Sequence, residues 1–245
     1  MIEIIEQCDD WVAINKPPDM LVHRSELDKH ETQFVLQIVR DQLGQKLYPV
    51  HRLDKPTSGV MLFAKSSEAA AKLQATLDQP STQKCYLGIV RGWAPKEGIL
   101  DHPIAIRDRR QPGKLEAETW YRRLGRAQIC HEVEGYPTAR YSLVVMRAVT
   151  GRRHQLRRHL KNANHPMIGD STFGRKKHND FFAQAFNFDR LALHAWRLRV
   201  DDHWIEAPLD GGFFTLIQRF AWKTALKSCT EPFPEEQWSR HSATQ

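Results

Sequence analysis

The chain has 245 residues, 41% of them hydrophobic and 27% charged, with a formal net charge of +7 and a pI near 9.3. This is enough apolar material for the core of one large globular domain or two small ones, and the positive balance suits a polyanionic partner. The composition excludes several classes. Met1-Ile2-Glu3-Ile4-Ile5-Glu6 is acidic and alternating, unlike a signal peptide, and no apolar run approaches a membrane span, so a soluble cytoplasmic protein is expected. Cys8, Cys85, Cys130 and Cys229 lack a C-x-x-C pair, which argues for reduced, mostly buried thiols rather than a disulfide framework or zinc ribbon. No H-E-x-x-H occurs, and His154, His159 and His165 do not share a helical face, so no metal is expected.

In chain order, residues 2 to 14 read as two short strands split by Asp9-Asp10. Lys16-Pro17-Pro18 then suggests a stiff loop projecting a cation, or a plain proline turn, before the extended run Leu21-Val22-His23. Phe34, Val35, Ile38, Val39 and Leu43 have helical spacing. His51-Arg52-Leu53-Asp54-Lys55-Pro56-Thr57-Ser58-Gly59 cannot easily be helix or mid-strand, and it leads into the apolar strand Val60 to Ala64. Asp54 lies among cations that favour its ionised form, which suits a nucleophile or electrostatic partner; a surface aspartate in a basic turn is the plainer alternative. Ser66 should cap a helix through Leu77, with Glu68 in its first turn.

Lys84 to Trp93 reads as a strand carrying Tyr86, with Gly88 and Gly92 leaving room for something to approach. Residues 101 to 114 form a basic loop with Arg107, Arg109, Arg110 and Lys114, either solvated or set against phosphates. Strands are expected over 119–124 and 141–149. In the helix predicted after Gly151, His154, Arg157, Arg158 and Lys161 share one face, and Leu156, Leu160 and Ala163 the other. The basic face is a candidate phosphate and carboxylate receptor, helped by the helix dipole, or simply a solvated surface. Leu191 to Leu198 reads as a strand, and Phe213 to Ala225 as a helix presenting Phe214, Ile217, Phe220 and Ala221. Residues 229–245 are expected to form a loose tail after one catalytic domain over 1–228.

Several of these segments carry a resemblance. Asn-Lys-Pro at 15–17, His-Arg-Leu-Asp with Thr-Ser-Gly at 51–59, Lys-x-Tyr at 84–86, Thr-Gly-Arg-x-His-Gln-x-Arg at 150–157, His165 to Asp170 with Phe173-Gly174, and Leu191 to Ala195 resemble, in family order, the motifs of the RluA-type RNA pseudouridine synthases. The likeness spans about residues 11 to 200. Asp19 stands where the family commonly has glycine, a departure that bears on the local turn.

The resemblance implies an α+β fold with a mixed, mostly antiparallel central sheet, flanking helices and a catalytic cleft across it. It implies isomerisation of uridine to pseudouridine in RNA, without cofactor or metal. By motif, Asp54 matches the catalytic aspartate, which attacks C1′ or removes a C2′ proton. Arg157 matches its ion-pair partner, and Tyr86 the tyrosine that packs on the base. Arg52 would fill the gap left by an everted nucleotide, Lys16, Arg152, His154 and Arg158 would hold phosphates, and Leu193 would press on the uracil. Because the first motif begins near residue 11, no N-terminal S4-like domain is expected. The compact length and the run Leu21 to Ser25 point, within the family, to uridine 65 of tRNA; a 23S rRNA hairpin, or rRNA and tRNA together, is the alternative. A glycoside hydrolase would need a second acid where these motifs supply Arg and Tyr. A non-catalytic RNA-binding protein would have no use for Asp54.

Overall fold

The computed structural model describes residues 1–23, 32–106 and 113–234. Arg24 and Ser25 of the 21–25 run, and Arg107, Arg109 and Arg110 of the basic loop, lie outside the described residues.

Strands β1 (Glu3–Gln7) and β2 (Trp11–Lys16) pair antiparallel across the Asp9-Asp10 turn. Helix α1 (Val35–Leu43) buries Val35 and Val39 and ends at Gly44 in the left-handed conformation. After β3 (Tyr48–Pro49) and the wholly buried β4 (Ser58–Ala64), helix α2 (Ser67–Leu77) starts where Ser66 Oγ accepts the Ala69 N–H at 3.0 Å. Ala69, Leu73 and Leu77 form its inner face. Then come β5 (Gln83–Arg91), β6 (Glu97–Leu100), the small pair β7 (Ile104–Ala105) and β8 (Lys114–Leu115), and the long β9 (Thr119–Ile129) and β10 (Ala139–Ala148). Helices α3 (Gln155–Asn162) and α4 (Lys176–Phe186), strands β11 (Leu193–Val200) and β12 (His203–Glu206), and helices α5 (Gly211–Arg219) and α6 (Lys223–Lys227) complete the described chain.

The main sheet runs β1-β2-β4-β11-β5-β10-β9-β6, with β12 beside β11 and β3 beside β4. Every pairing is antiparallel except β4 with β11, so the fold is α+β with a mixed, mostly antiparallel sheet. Strand alternation divides the core. From β5 and β10, Cys85, Leu87, Ile89, Tyr141, Leu143 and Val145 face the cluster that receives α4 and α5. Val90, Val144 and Met146 face the opposite way, onto Leu156 and Leu160 of α3. A third cluster joins β1, β2 and β4 to α1 and α2, and Tyr86 packs where it meets the α3 cluster.

Four expectations need correction. Gly88 and Gly92 admit the protein itself: Met146 reaches the first, and the His165 ring the second, whose φ is 82°. Helix α5 buries Phe213, Leu216 and Ile217 and leaves Phe214 exposed, because Asp210 accepts the Phe213 N–H and sets the start of the helix. The described part of the supposed tail is packed: Phe233 is fully buried, and Arg197 donates to the carbonyls of Cys229 and Thr230 at 2.9 and 2.8 Å. Only Cys85 and Cys229 are buried; Cys8 and Cys130 are exposed.

Candidate active site

The Asp54 turn is held from behind. Lys16 is fully buried at the end of β2, and its Nζ donates to the carbonyls of Pro17, Lys55 and Thr57 at 2.9, 2.9 and 2.8 Å. Burial lowers its pKa to about 7, while Asp19 and Asp54 act to raise it. All three ammonium hydrogens are committed to backbone, and the expected phosphate-binding role of Lys16 is corrected: it ties the Asp54 loop to the sheet. Asp19 takes a φ of 57° in the loop that follows, a conformation aspartate tolerates.

Within the turn, Thr57 N–H donates to Asp54 O at 3.0 Å. His51 Nε2 accepts the Leu62 N–H at 2.9 Å, and burial, with Lys84 nearby, lowers its pKa to about 3, so the ring is a neutral acceptor. Gly59 has a φ of 114°, and any Cβ there would collide with the Ala195 backbone at the parallel contact of β4 with β11. That close approach delivers Asp54 beside Leu193, at the start of β11.

Arg157 enters from α3. Its guanidinium is buried and clasped by Asp170, with Nε to Oδ2 at 2.7 Å and Nη2 to Oδ1 at 2.8 Å, leaving Nη1 at 3.4 Å from Asp54 Oδ2. Burial disfavours the Arg157 charge, but the two carboxylates outweigh it and raise the pKa. Burial would likewise raise the Asp170 pKa, yet hydrogen bonds from Arg157 and from the Phe173 N–H leave it below the ordinary carboxylate value. The Phe173 ring lies under the guanidinium, 5.2 Å from its carbon.

The supposed basic face of α3 is also corrected. Arg157 turns inward, and His154 precedes the helix in a left-handed conformation, φ 56°, with Nε2 3.8 Å from Asp54 Oδ2 and its ring edge-on to Phe173. The helix begins at Gln155, whose amide accepts from Thr150 Oγ1 and the Arg152 N–H and donates to Glu118 O and Thr119 Oγ1. Those bonds fix the loop 150–154 that forms one wall of the site.

Asp54, Tyr86, Arg157, Leu193, Arg52, Arg152 and His154 line one cleft of about 460 Å³. Arg52 and Arg152 are exposed at its edge, and Arg152 Nε donates to Glu116 O. Arg158 borders an adjoining hollow and donates to Ala105 O at 2.9 Å. Burial and, next, the Asp54 charge raise the Tyr86 pKa, so the phenol is neutral. Sequence reasoning missed the roles of Asp170 and Phe173. Their signal is the Asp-x-Thr-Phe-Gly run, a side-chain turn in which Asp170 Oδ1 accepts the Thr172 and Phe173 N–H groups, both at 2.9 Å.

A profile described as RNA pseudouridylate synthase matches residues 10–162. The chain belongs to the RNA pseudouridylate synthase family. Relatives named tRNA pseudouridine synthase C are similar over nearly their whole length: that of Vibrio vulnificus (strain CMCP6) is 43% identical over 240 residues, covering 92% of this chain and 98% of the relative. The one from Pasteurella multocida (strain Pm70) is 44% identical over 236 residues, covering 90% and 97%. Among solved structures, human RNA pseudouridylate synthase domain containing 4 superposes with a TM-score of 0.69 at 24% identity, over 89% of this chain and 93% of that one. At that identity the likeness concerns the fold. As a pseudouridylate synthase the chain is an isomerase acting on RNA.

Proposed function

We propose that this isomerase converts uridine 65 of tRNA to pseudouridine in the cytoplasm, with Asp54 as the carboxylate that reacts at the sugar and residues 1–234 as its catalytic domain. The geometry that carries the reading is the Asp54–Arg157 pair, 3.4 Å apart, inside a cleft of a size to admit a nucleoside. The relatives' name supports tRNA as the substrate, and the likeness of the 21–25 segment supports position 65.

A uridine stacked in an RNA stem cannot bring C1′ to a carboxylate within a cleft, so the nucleotide must turn out, at a cost of a few kcal/mol. Arg52, exposed at the mouth, fills the vacated space, and Arg152 and Arg158 meet phosphates. Leu193 and the Tyr86 ring bracket the uracil. The N1–C1′ bond breaks as Asp54 either bonds to C1′ or takes the C2′ proton. The base turns and C5 bonds to C1′ as Asp54 leaves C1′ on the first route or returns its proton to C2′ on the second, and then the C5 proton leaves and N1 gains one. Because its phenol is held neutral, Tyr86 assists that proton loss as a hydrogen-bonding partner rather than as a phenolate. Arg157 holds Asp54 aimed throughout, by a 3.4 Å contact that is longer than an ordinary charge-assisted bond.

Mapping pseudouridine across total RNA from cells with and without the protein tests the assignment. The expected result is loss of the mark at tRNA position 65 alone. Loss of a mark in 23S rRNA instead would overturn it.

A further inference from the structure

A second group of cations lies on the cleft side of the sheet, toward the other end of the long strands. Past β5 the chain turns through Gly92, at φ 82°, and sets the Trp93 indole against β9, where Nε1 donates to Ala127 O at 3.1 Å. Two guanidinium groups lie over this ring, that of Arg140 at 4.3 Å and that of Arg126 at 5.2 Å from its centroid. Arg140 is held further through Nε, which donates to Gln128 Oε1 at 3.2 Å. Both arginines are exposed, and the indole is 38% exposed.

Strand alternation fixes the face. Val144 and Met146 of β10 point onto α3, so Ser142 and Arg140 point the same way, and Arg126 and Gln128 are their partners in the β9 pairing. Met146 pairs with Tyr86 of the cleft, and Arg140, six residues away, therefore sits about 20 Å from it along the strand. The segment 155–165 bridges that distance. It starts at the cleft with Gln155, carries Arg158 and the exposed Lys161 outside the buried face of α3, and reaches His165, whose ring packs on Gly92 with Nδ1 2.9 Å from Arg91 O. Among the described residues neither Arg126 nor Arg140 is paired with a carboxylate. Glu134 of the adjoining hairpin is turned toward α4, onto Arg91 and His178 at 3.5 and 3.6 Å.

A guanidinium stacked on an aromatic ring keeps its in-plane N–H groups, and their geometry matches the edge of a phosphate. Stacking also removes side-chain freedom that binding would otherwise have to freeze. The substrate on this face is itself a polyanion, and the cations of α3 continue from the cleft toward the indole. We propose that Trp93, Arg126 and Arg140 form a second docking point for the substrate RNA, with the indole as a fixed platform and the two guanidinium groups on backbone phosphates, about 20 Å from the reacting uridine. Such a contact reads position rather than base sequence, and it favours an intact folded RNA over a short fragment. The choice of tRNA rests on the reading above; the contact itself requires only an RNA long enough to span the distance.

The test compares full-length wild type with the double variant R126A/R140A on two RNAs: intact tRNA, and a hairpin trimmed too closely around the target uridine to reach the indole. The double variant should bind tRNA about tenfold more weakly, with the slope of log affinity against log salt reduced by about 1.4–1.8, as for two lost phosphate contacts. It should bind the trimmed hairpin within about twofold of wild type, which also shows that it is folded. Trp93→Leu keeps both charges and removes their platform; tRNA binding should weaken about threefold with the salt slope near that of wild type. Unchanged tRNA affinity and slope in the double variant would overturn the proposal, and so would an equal loss on both RNAs, which would place the effect at the cleft. A changed sedimentation coefficient at unaltered tRNA affinity would overturn it in favour of a contact with a second copy of the chain. If wild type itself neither bound nor converted tRNA, the substrate assignment would fall, and the same comparison on the RNA that it does convert would decide the role of the indole and its arginines.

Discussion

Two turns, 54–57 and 170–174, bring carboxylates to the same arginine from distant parts of the chain, and they are built to opposite ends. The first is gripped through its backbone: Lys16 holds the carbonyls of Lys55 and Thr57, Thr57 N–H closes the turn, and the Asp54 side chain is left partly exposed, reached on Oδ2 by Arg157 Nη1 at 3.4 Å and His154 Nε2 at 3.8 Å. The second is gripped through its side chain, with four donors on the Asp170 oxygens and none of that carboxylate exposed. A carboxylate whose acceptors are all filled can only hold something in place. One whose backbone is rigid and whose oxygens are spare can react.

The comparison breaks most sharply at Asp170, where Asp170→Asn should slow turnover about 100-fold while the RNA stays bound. Next comes the anchor of the other turn. Lys16→Met strands three carbonyls in a dry site and should lower stability by about 2–3 kcal/mol in denaturant titrations. Turnover should fall with it, while the salt dependence of tRNA binding stays as in wild type. A shallower salt slope at full stability would return Lys16 to phosphate binding. The smallest effect is expected at Arg158, outside both turns: Arg158→Ala should weaken tRNA binding several-fold and reduce the slope of log affinity against log salt by about 0.7–0.9, with turnover at saturation unchanged. A loss of turnover at saturation would place Arg158 with the chemistry instead.

Much of this arrangement is legible in the sequence. Pattern and capping find β1, β2, α1 and α2 because their signals are local: alternation, helical spacing, and a serine whose hydroxyl meets the first helical turn. Motif order brings Asp54, Tyr86, Arg157 and Leu193 to one cleft. What escapes depends on contacts between distant residues. Lys16 looks like a projecting cation because the prolines after it are adjacent, whereas two of the carbonyls that turn it inward lie about forty residues away. Asp170 is visible only as part of a motif, since nothing nearby in sequence reveals that Arg157, thirteen residues earlier, presents its fork there. Helix α4 is missed because its first turns are polar; its aromatic face, Phe182 and Phe186, finds Phe220 only when the C-terminal segment folds back over it. On α5 the glycines hide the true start, which the Asp210 cap sets.

The claim that the exposed carboxylate does the chemistry is tested most directly by Asp54→Asn, with tRNA binding and single-turnover pseudouridine formation measured on the same preparation. The account predicts binding within a few-fold of wild type and conversion slowed by at least about 1,000-fold, equivalent to about 4 kcal/mol of lost transition-state stabilisation. Conversion at a near wild-type rate by bound, folded D54N would contradict it.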